Sequence, residues 1–587
     1  MENGSFRTID DQVIMRLRDR ICDTSERMLT SDLFLRVLKQ YIAGLSKKQS
    51  RLLNIFPNPR IITDEDIHTL VDALRYLIKL PVDLIPRVIP GSEVLFANKE
   101  LFFDFIEQFY NYWRHLHRLI ICDSAGDSFD QRPYRTFNGT LETLMHVVRS
   151  TYRDIQENVS GKHPRIYRQV AAGAQVGAIA LPKEIKYPDG VYKKLNSISV
   201  IRQVLIYPPM IFDSATNTRK GVFERVYQNP ISNLDINKND WLCYPAKVGP
   251  LLIMTYFNVK QFELGFALSN LFEVANDEDL NKKPDAVFMY GTPNTMMPIS
   301  STSDTIFFDD EENGILSSTI PLRNEFGYFG YLKKMILTLH NIKIMKMGRL
   351  PFHGAMFNIT VRDKGSYTVM IIGDSGAGKS ESLEALRTIA GDDIEDITII
   401  ADDMGSIDID PDSGQIIGYG TETGAFVRMD DLQPGFAFGQ IDRAIIMNAS
   451  QVNARVVLPI TTYDEVMRGY SVDFILYANN YEPIDEGHPA IERFDNAKAA
   501  LDVFQEGRVM SKGTTTSTGV VTNYFANIFG PPQYHDVHHE LAKKYFKQFF
   551  DQDLYVGQFR TQLGVTGKEQ SGPVEAAKHL LNLLKNI

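Results

Sequence analysis

The chain has 587 residues, a length that favours two or three domains, and its 44% hydrophobic and 23% charged residues are ordinary for a globular protein. A formal net charge of −11 at pH 7 disfavours nucleic acid or an acidic membrane as a partner, because both require a basic surface. The 3 cysteines lack C-x-x-C spacing, which argues against a disulfide framework and a cysteine zinc site. Without an apolar signal segment or a run of membrane-spanning length, the protein is expected to be cytoplasmic.

Residues 1–165 predict a helical domain. Apolar residues recur at helical spacing in residues 33–42 and 70–78, and an aromatic-rich stretch follows at 101–110. Such stripes are typical of helices that face a core, so we assign them a packing role. A protein partner for this region is compatible with the pattern.

Residues 166–330 predict a mixed α/β domain, and residues 331–587 predict a catalytic domain. Short β-rich runs broken by Pro, Gly and Asn begin near Ile201. The strand candidates are residues 204–207, 251–256, 286–290 and 305–308. The whole chain is therefore expected to be an α/β protein of the mixed kind with an added helical region.

Two polar features precede the strands of the last domain. Lys333 and Lys334 open a segment with the apolar spacing of an amphipathic helix, on which lysines ordinarily face solvent. His353 stands just ahead of a predicted strand at residues 356–360. A single histidine is usually a satisfied structural group, but an imidazole combined with carboxylates suits Mn²⁺ or a similar ion.

A complete G-x-x-x-x-G-K-[ST] phosphate-binding loop lies between a predicted strand at 367–372 and a predicted helix at 381–387. The glycines let backbone N–H groups face phosphates, the lysine reaches the terminal phosphates, and the serine hydroxyl can hold Mg²⁺. The pattern predicts binding of a nucleoside triphosphate. The loop consists of Gly373, Asp374, Ser375, Gly376, Ala377, Gly378, Lys379 and Ser380.

Asp402 and Asp403 follow a predicted buried strand at residues 397–401. Ligands of open α/β sheets bind at the carboxyl ends of strands, and such a position usually addresses the metal on the nucleotide phosphates. One of the two carboxylates could instead act as a general base. A polar loop without a chemical role is the alternative, which the nearby phosphate loop disfavours.

These motifs, in this order, resemble phosphoenolpyruvate carboxykinase. The resemblance covers residues 285–587, about half of the chain. Residues 422–428 are similar to the family's E-G-G-C-[FY]-A-K segment, residues 453–455 to its N-T-R, and residues 525–530 to its F-S-x-x-F-G. Before them stand the ordered matches Tyr328, Gly330, Lys333, Lys334, His353, the phosphate loop, Asp402 and Asp403.

The resemblance implies a carboxykinase-like P-loop nucleotide-binding domain and the conversion of oxaloacetate and a nucleoside triphosphate, ATP rather than GTP, to phosphoenolpyruvate. It implies a Mn²⁺-type ion bound by Lys334, His353 and Asp403, and Mg²⁺ carried by the nucleotide and held by Ser380. Arg455 would bridge the transferred phosphoryl group and the substrate carboxylate, which suits a guanidinium fork. The implied catalytic residues are Lys334, Lys379, Arg455, Asp402 and Tyr328, and Arg428 stands where the family has a lysine that contacts the nucleotide.

The sequence departs from the family in the part that would hold the dicarboxylate. The family's T-G-R-S-P-K-D segment has no clean counterpart, and Arg219 is the nearest candidate for its arginine. The adenine-contacting segment is altered at residues 567–571, and residues 513–519 only approximate the ATP-type stretch. The organic substrate is therefore left open by the sequence.

HPr kinase/phosphorylase offers a second resemblance. Its His-Gly, G-x-S-G-x-G-K-S-E and A-D-D motifs match His353-Gly354, residues 373–381 and residues 401–403. In that family the Asp pair serves metal binding and deprotonation of a protein serine, but Tyr328 and Arg455 stay unexplained. A third alternative is a protein that binds nucleotide without catalysis, although Lys379, Ser380, Asp403 and His353 would then have no chemical purpose.

Overall fold

The computed structural model describes residues 4–17, 22–123, 133–218, 220–293, 303–389, 391, 393–429, 441–451, 454–511 and 519–587. The chain divides into two compact units. Unit 1 comprises Met1–Pro182 and Ser199–Pro208, and unit 2 comprises Lys183–Ile198 and Pro209–Ile587. Residues 166–182 thus belong to unit 1, and residue 330 lies inside unit 2.

Unit 1 combines helices with a mixed sheet in the order β1-β2-β3-β4-β5, in which β2, β3 and β4 are parallel. The predicted helices at 33–42, 70–78 and 101–110 are present. The strands near the start of the chain were not predicted. Its elements are β1 (Gly4–Ile9), β2 (Gln12–Leu17), α1 (Ser25–Leu29), α2 (Asp32–Lys47), α3 (Asp64–Leu77), α4 (Ile85–Val88), α5 (Lys99–His115), β3 (His117–Cys122), α6 (Pro133–Ser160), β4 (Val176–Leu181) and β5 (Val200–Ile206).

The local sequence explains where these helices begin and what they bury. Thr63 and Asp66 form a capping box at the start of α3, each side chain accepting a hydrogen bond from the other's backbone N–H. Apolar faces of α2, α3 and α5 then meet in one core that includes Leu38, Leu70 and Phe105. A second core lies between α6 and the strands. The sheet escaped prediction because β2 and β3 are buried along most of their length and lack the alternation that marks a half-exposed strand.

Unit 2 is a mixed α/β unit. Its first half contains β6 (Met210–Phe212), β7 (Glu224–Val226), β8 (Trp241–Val248), β9 (Leu251–Asn258), α7 (Phe262–Ala267), β10 (Glu273–Val274), β11 (Ala286–Thr292), β12 (Ile306–Asp310), β13 (Ile315–Pro321) and α8 (Phe329–Lys346). Strands β8-β9-β11-β13-β12-β7 form a mixed sheet. Three predicted strands, at 251–256, 286–290 and 305–308, correspond to β9, β11 and β12, and the strand predicted at 204–207 corresponds to β5 of unit 1.

The second half of unit 2 carries the phosphate-loop sheet, in the order β22-β18-β17-β14-β15-β23-β27-β24, with β16 paired to β14. Smaller sheets are formed by β19-β21-β20-β6 and β25-β26. The elements are β14 (Leu350–Val361), β15 (Gly365–Ile372), α9 (Lys379–Ile389), β16 (Ile394–Ala401), β17 (Met404–Ile409), β18 (Ile416–Gly420), β19 (Gly424–Arg428), β20 (Ile445–Met447), β21 (Arg455–Pro459), α10 (Tyr463–Met467), β22 (Tyr470–Ser471), β23 (Phe474–Asn479), β24 (Ile491–Arg493), α11 (Ala497–Glu506), β25 (Arg508–Ser511), β26 (Gly519–Thr522), α12 (His535–Asp551), β27 (Tyr555–Arg560) and α13 (Ser571–Asn586).

Two local expectations are corrected by this half. The strand predicted at 356–360 begins earlier, at Leu350, so His353 lies inside β14 and not ahead of it. The helix α8 is not amphipathic, because nearly every residue from Phe329 to Met345 is buried, Lys333 included. A helix that is apolar all round is typical of a core helix, and α8 packs against β8, β11, β13, β14 and β17.

Within the described part of the chain, no helix combines the length and the apolar character needed to cross a lipid bilayer.

Candidate functional site

The phosphate loop connects β15 to α9, as its sequence predicts. Lys379 begins the helix, is buried, and folds back over the loop, where its Nζ donates to the carbonyl oxygens of Gly373 at 2.6 Å and Asp374 at 3.1 Å. Gly378 has a positive φ of 94°, and a Cβ there would meet Thr561 at 2.6 Å. The glycine is therefore required both by the backbone turn and by the neighbouring strand end.

Residues at the ends of the adjacent parallel strands hold the loop in place. Asn480, after β23, donates from Nδ2 to the Gly376 carbonyl at 2.9 Å, and Thr561, after β27, donates to the Ala377 carbonyl at 2.6 Å. Because β15, β23 and β27 are parallel, their carboxyl ends meet at one edge of the sheet. This is the edge at which open α/β sheets bind ligands.

His353 and the Asp pair lie at the same edge. The backbone N–H of Gly373 donates to the His353 carbonyl at 3.1 Å, and the N–H of Gly354 donates to the Asp403 carbonyl at 2.9 Å. Asp402 and Asp403 form the turn between β16 and β17. The first residue of the phosphate loop, the histidine and the aspartates are therefore joined through main-chain hydrogen bonds.

The imidazole of His353 has a defined orientation. Its Nδ1 donates to the carbonyl of Ala526 in a short hydrogen bond, which leaves Nε2 directed at Asp403 Oδ1, 2.9 Å away. The carbonyl belongs to a strained turn, since Phe525, Ala526 and Asn527 all have positive φ, of 44°, 58° and 64°. Such a fixed Nδ1–H contact is typical of histidines whose other nitrogen binds a metal ion.

Lys333 is the cation of this cluster. Its Nζ lies 2.7 Å from Asp403 Oδ2 and 2.9 Å from Glu422 Oε1, and its side chain is 5% exposed. The Glu422 carboxylate is 1% exposed, and neither of its oxygens makes a well-aligned hydrogen bond within the described residues, so its contact with Lys333 is an ion pair. An incompletely satisfied buried carboxylate is costly, which marks this position as a candidate for function.

The pKa values follow from this arrangement. Burial and then the charge of Asp403 raise the pKa of Asp402 to about 6. Burial would also raise the pKa of Asp403, but Lys333 and His353 outweigh it and hold that pKa well below its usual range. Burial raises the pKa of Glu422 to about 7 against the opposing charge of Lys333. Perturbed carboxylates collected beside a phosphate loop are typical of a functional site.

Tyr328 and Arg455 come together on the ring of Phe426. The Tyr328 ring centroid lies 5.9 Å from that of Phe426, and the Arg455 guanidinium carbon lies 5.7 Å from it. The Tyr328 ring also covers Gly330, where a Cβ would approach it to 2.3 Å, so the Tyr-x-Gly spacing has a steric reason. Arg428 pairs with Arg455 across β19 and β21.

Lys334 and Ser380 have less direct relations to the cluster. Lys334 Nζ lies 5.2 Å from the ring centroid of Phe529, and the His353 ring packs on the same phenyl group at 5.9 Å. Ser380 is exposed in the first turn of α9. Within the described residues, no group of three or more His, Cys, Asp or Glu side chains is placed to bind one metal ion.

Three sequence assignments lie outside the described residues: Arg219, Asn453 and most of the stretch at 513–519. Two members of the cluster were given no role by the sequence reasoning, Lys333 and Glu422. Adjacent lysines on a helix point about 100° apart, so only one can face a given neighbour. Because α8 is buried on all sides, its sequence lacks the apolar periodicity that would have indicated that Lys333 faces the cluster. Glu422 could have been noticed as the acidic residue that opens the segment similar to E-G-G-C-[FY]-A-K.

Comparison with models of known protein families and with curated proteins found no match to this chain.

Proposed function

We propose that unit 2 catalyses nucleotide- and metal-dependent phosphoryl transfer of the phosphoenolpyruvate carboxykinase type. Oxaloacetate would lose CO₂, and the resulting enolate would take the γ-phosphoryl group of a nucleoside triphosphate, giving phosphoenolpyruvate and a nucleoside diphosphate. Unit 2 would then be a divergent relative of that family, with residues 331–587 as its P-loop nucleotide-binding domain and the part of residues 166–330 that lies in unit 2 as the counterpart of its N-terminal domain.

One observation carries the proposal. The hydrogen bond between the Gly373 N–H and the His353 carbonyl joins the phosphate loop to the strand that bears the histidine, and Asp403 contacts both His353 and Lys333. A phosphate loop alone supports nucleotide binding. The same loop with an oriented imidazole, two aspartates and a buried lysine at one sheet edge supports chemistry on the nucleotide.

The protein residues have separable roles in this proposal. Lys379 binds the β- and γ-phosphates and neutralises charge that develops during transfer. Arg455 binds the transferred group and the substrate carboxylate, and Tyr328 faces the organic substrate. Their shared contact with Phe426 supports the proposal that Arg455 and Tyr328 act on one ligand.

A divalent cation fits the donor set. The His353 imidazole and the Asp403 carboxylate are donor types that Mn²⁺ accepts, and the carboxyl groups of Asp402 and Glu422 belong to the same cluster. His353 Nε2 and the Asp403 carboxylate would hold a Mn²⁺-type ion, with Lys334 completing the set, and Ser380 would hold the Mg²⁺ of the nucleotide. The bound Mn²⁺-type ion would supply Lewis-acid stabilisation of the enolate oxygen.

A protein-serine kinase of the HPr kinase type is the second candidate. Its supporting observation is the pKa of Asp402, which burial and Asp403 raise to about 6. A carboxylate with a pKa close to neutrality is suited to take a proton from a hydroxyl group. This candidate leaves Arg455 and Tyr328 without a role, so we rank it second.

The test is an assay of phosphoenolpyruvate formation from oxaloacetate with Mn²⁺ and Mg²⁺, in which ATP, GTP and pyrophosphate are supplied separately. Turnover is expected with ATP. Lys379→Ala is expected to lower it about 10³-fold, since one lost charge-stabilising contact is worth roughly that factor. Lys578→Ala, on the exposed face of α13, is the matched control and is expected to leave turnover unchanged.

The other outcomes separate the alternatives. Phosphorylation of a serine-containing protein, with no turnover of oxaloacetate for any of the three donors, would favour the kinase. Nucleotide binding that depends on Lys379 without either reaction would favour the non-catalytic alternative.

A further inference from the structure

Unit 1 contains a cavity of about 110 Å³ between β2 and the helices α1, α2, α3, α5 and α6. Its walls are made mostly by apolar and aromatic side chains. The residues that matter below are Cys22, Ser31, Trp113, Val148, Thr151 and Tyr152. All lining residues belong to unit 1, so the cavity is separate from the phosphate-loop site of unit 2.

Three polar groups in the walls form hydrogen bonds with the protein itself. The Ser31 hydroxyl donates to the Met28 carbonyl at 2.8 Å, and the Thr151 hydroxyl donates to the Val147 carbonyl at 2.7 Å. The Trp113 indole N–H donates to the carbonyl of Ala172 at 2.7 Å. The surface presented to the cavity consists almost entirely of carbon and sulfur.

The charge of the residues that line the cavity also determines which ligands can bind there. No Asp, Glu, Lys or Arg is found among the described residues that line the cavity. A charged or strongly polar ligand would lose its hydration without finding a partner, which is costly. An apolar ligand would meet only apolar atoms and gain dispersion contacts.

The size limits the ligand. Engineered apolar cavities of roughly 150 Å³ bind benzene or xenon, and the cavity of unit 1 is slightly smaller. We propose that unit 1 binds a neutral, compact hydrocarbon group of about the size of benzene in this cavity. The proposal does not depend on the reaction proposed for unit 2.

Chemical labelling of a cysteine in the cavity wall can report whether a ligand is bound. Cys22 lies in the cavity wall and is partly exposed, whereas Cys122 and Cys243 are buried. A small thiol reagent should therefore label Cys22 first in the folded protein. A ligand inside the cavity should slow this labelling, because it occupies the space beside the Sγ atom.

The experiment uses the full chain with benzene as the probe and phenol as a polar probe of similar shape. Benzene is expected to slow labelling of Cys22 at least fivefold with saturation, and to raise the Tm of unit 1, because a ligand that binds only the folded state stabilises it. Phenol is expected to do neither. Equal effects of the two probes, or no saturable effect of benzene, would overturn the proposal.

Neighbouring valines on α6 provide matched variants. Val148 lines the cavity, whereas Val147 is equally buried but does not line it. Val148→Phe is expected to fill the cavity and abolish protection of Cys22 by benzene. In case this variant fails to fold, Val148→Leu adds only one methylene and is expected to keep the Tm while weakening protection.

Val147→Leu is expected to lower the Tm and to leave the protection by benzene intact, because close-packed surroundings do not accept an added methylene. An equal loss of Tm in Val147→Leu and Val148→Leu would show that no space exists beside Val148, and the proposal would fail.

Discussion

Two pairs of adjacent aspartates in unit 2 look alike in sequence and differ in what surrounds them. Asp309 and Asp310 end β12, and Asp402 and Asp403 follow β16. Both pairs are at least partly buried. The difference lies in how completely their charges are balanced, and it separates a structural cluster from a candidate site.

The pair at β12 is satisfied by its neighbours. Asp309 accepts hydrogen bonds from the ammonium group of Lys346 and from the Tyr534 hydroxyl, the latter at 2.5 Å. Asp310 accepts from the Tyr192 hydroxyl at 2.8 Å and from the backbone N–H of Asn313 at 3.1 Å. Such a network stabilises one arrangement of the fold.

The pair after β16 belongs to a cluster whose carboxyl groups are less completely hydrogen-bonded. Asp402 keeps a pKa raised to about 6, Asp403 shares Lys333 with Glu422, and the Glu422 oxygens lack a well-aligned donor within the described residues. Unsatisfied buried carboxylates are tolerated where a ligand later completes them. The contrast teaches that incomplete satisfaction, more than the Asp-Asp motif itself, marks the candidate site.

The strongest test of this contrast replaces one carboxylate of each pair, that of Asp403 or that of Asp309, by an amide. Asp403→Asn is expected to lower turnover roughly 10³-fold, because a cation at this site would lose a charged ligand worth several kcal/mol in the transition state. Asp309→Asn is expected to lower the free energy of unfolding by about 2 kcal/mol, because it weakens a buried ion pair, and to leave turnover unchanged. The measurements are steady-state kinetics and denaturant unfolding, and the opposite assignment of losses would refute the contrast.

Glu422→Gln tests whether the buried carboxylate beside Lys333 has a functional or a structural role. Turnover is expected to fall about tenfold to a hundredfold and the Mn²⁺ requirement to rise, because Lys333 would then pair with Asp403 alone and weaken it as a ligand. Tm is expected to fall only slightly, because Lys333 keeps Asp403 as an ion-pair partner and the amide keeps the shape of the carboxylate. Glu325→Gln, which alters a partly exposed glutamate, is the matched control. A large loss of Tm with normal kinetics would make Glu422 a structural residue.

The smallest expected effect concerns a buried titratable group outside both pairs. Burial lowers the pKa of His340, on α8, to about 4, so the unfolded chain, in which it titrates near its ordinary value of 6.5, takes up this proton first. The free energy of unfolding should therefore fall as the pH drops below 6.5, by at most about 2 kcal/mol between pH 7 and pH 5 from this group.

His340→Gln should lose that part of the pH dependence, as measured by denaturant unfolding at pH 7 and pH 5. The exposed His579, replaced in the same way, should retain the pH dependence of the original chain. If the free energy of unfolding of His340→Gln changed between pH 7 and pH 5 as much as that of the original chain, this histidine would not titrate differently in the folded and unfolded states.

The sequence was sufficient where a local pattern has one structural meaning. The phosphate loop, its flanking strand and helix, and the aspartates after β16 were all predicted, because glycine spacing and a buried apolar run leave few alternatives. The helices α2, α3 and α5 were predicted from their amphipathic periodicity. In each case a single short segment contained the whole signal.

The sequence was insufficient where a role depends on distant neighbours. Nothing local distinguishes Lys333 from Lys334, since the choice is made by Asp403 and Glu422, which lie in two connections between strands far along the chain. The start of β14 was placed too late because Pro351 reads as an interruption of a strand. The cavity of unit 1 could not be predicted for a similar reason, since its walls come from six separate elements.

The most direct measurement is a crystal structure of the protein with Mn²⁺ and a non-hydrolysable ATP analogue, with Mn²⁺ located by its anomalous scattering. We expect one Mn²⁺ roughly 2.2 Å from His353 Nε2 and from the Asp403 carboxylate, and the triphosphate along residues 373–380 in contact with Lys379. A triphosphate bound away from that loop, or Mn²⁺ bound without His353 and Asp403, would contradict a single phosphoryl-transfer site at this sheet edge.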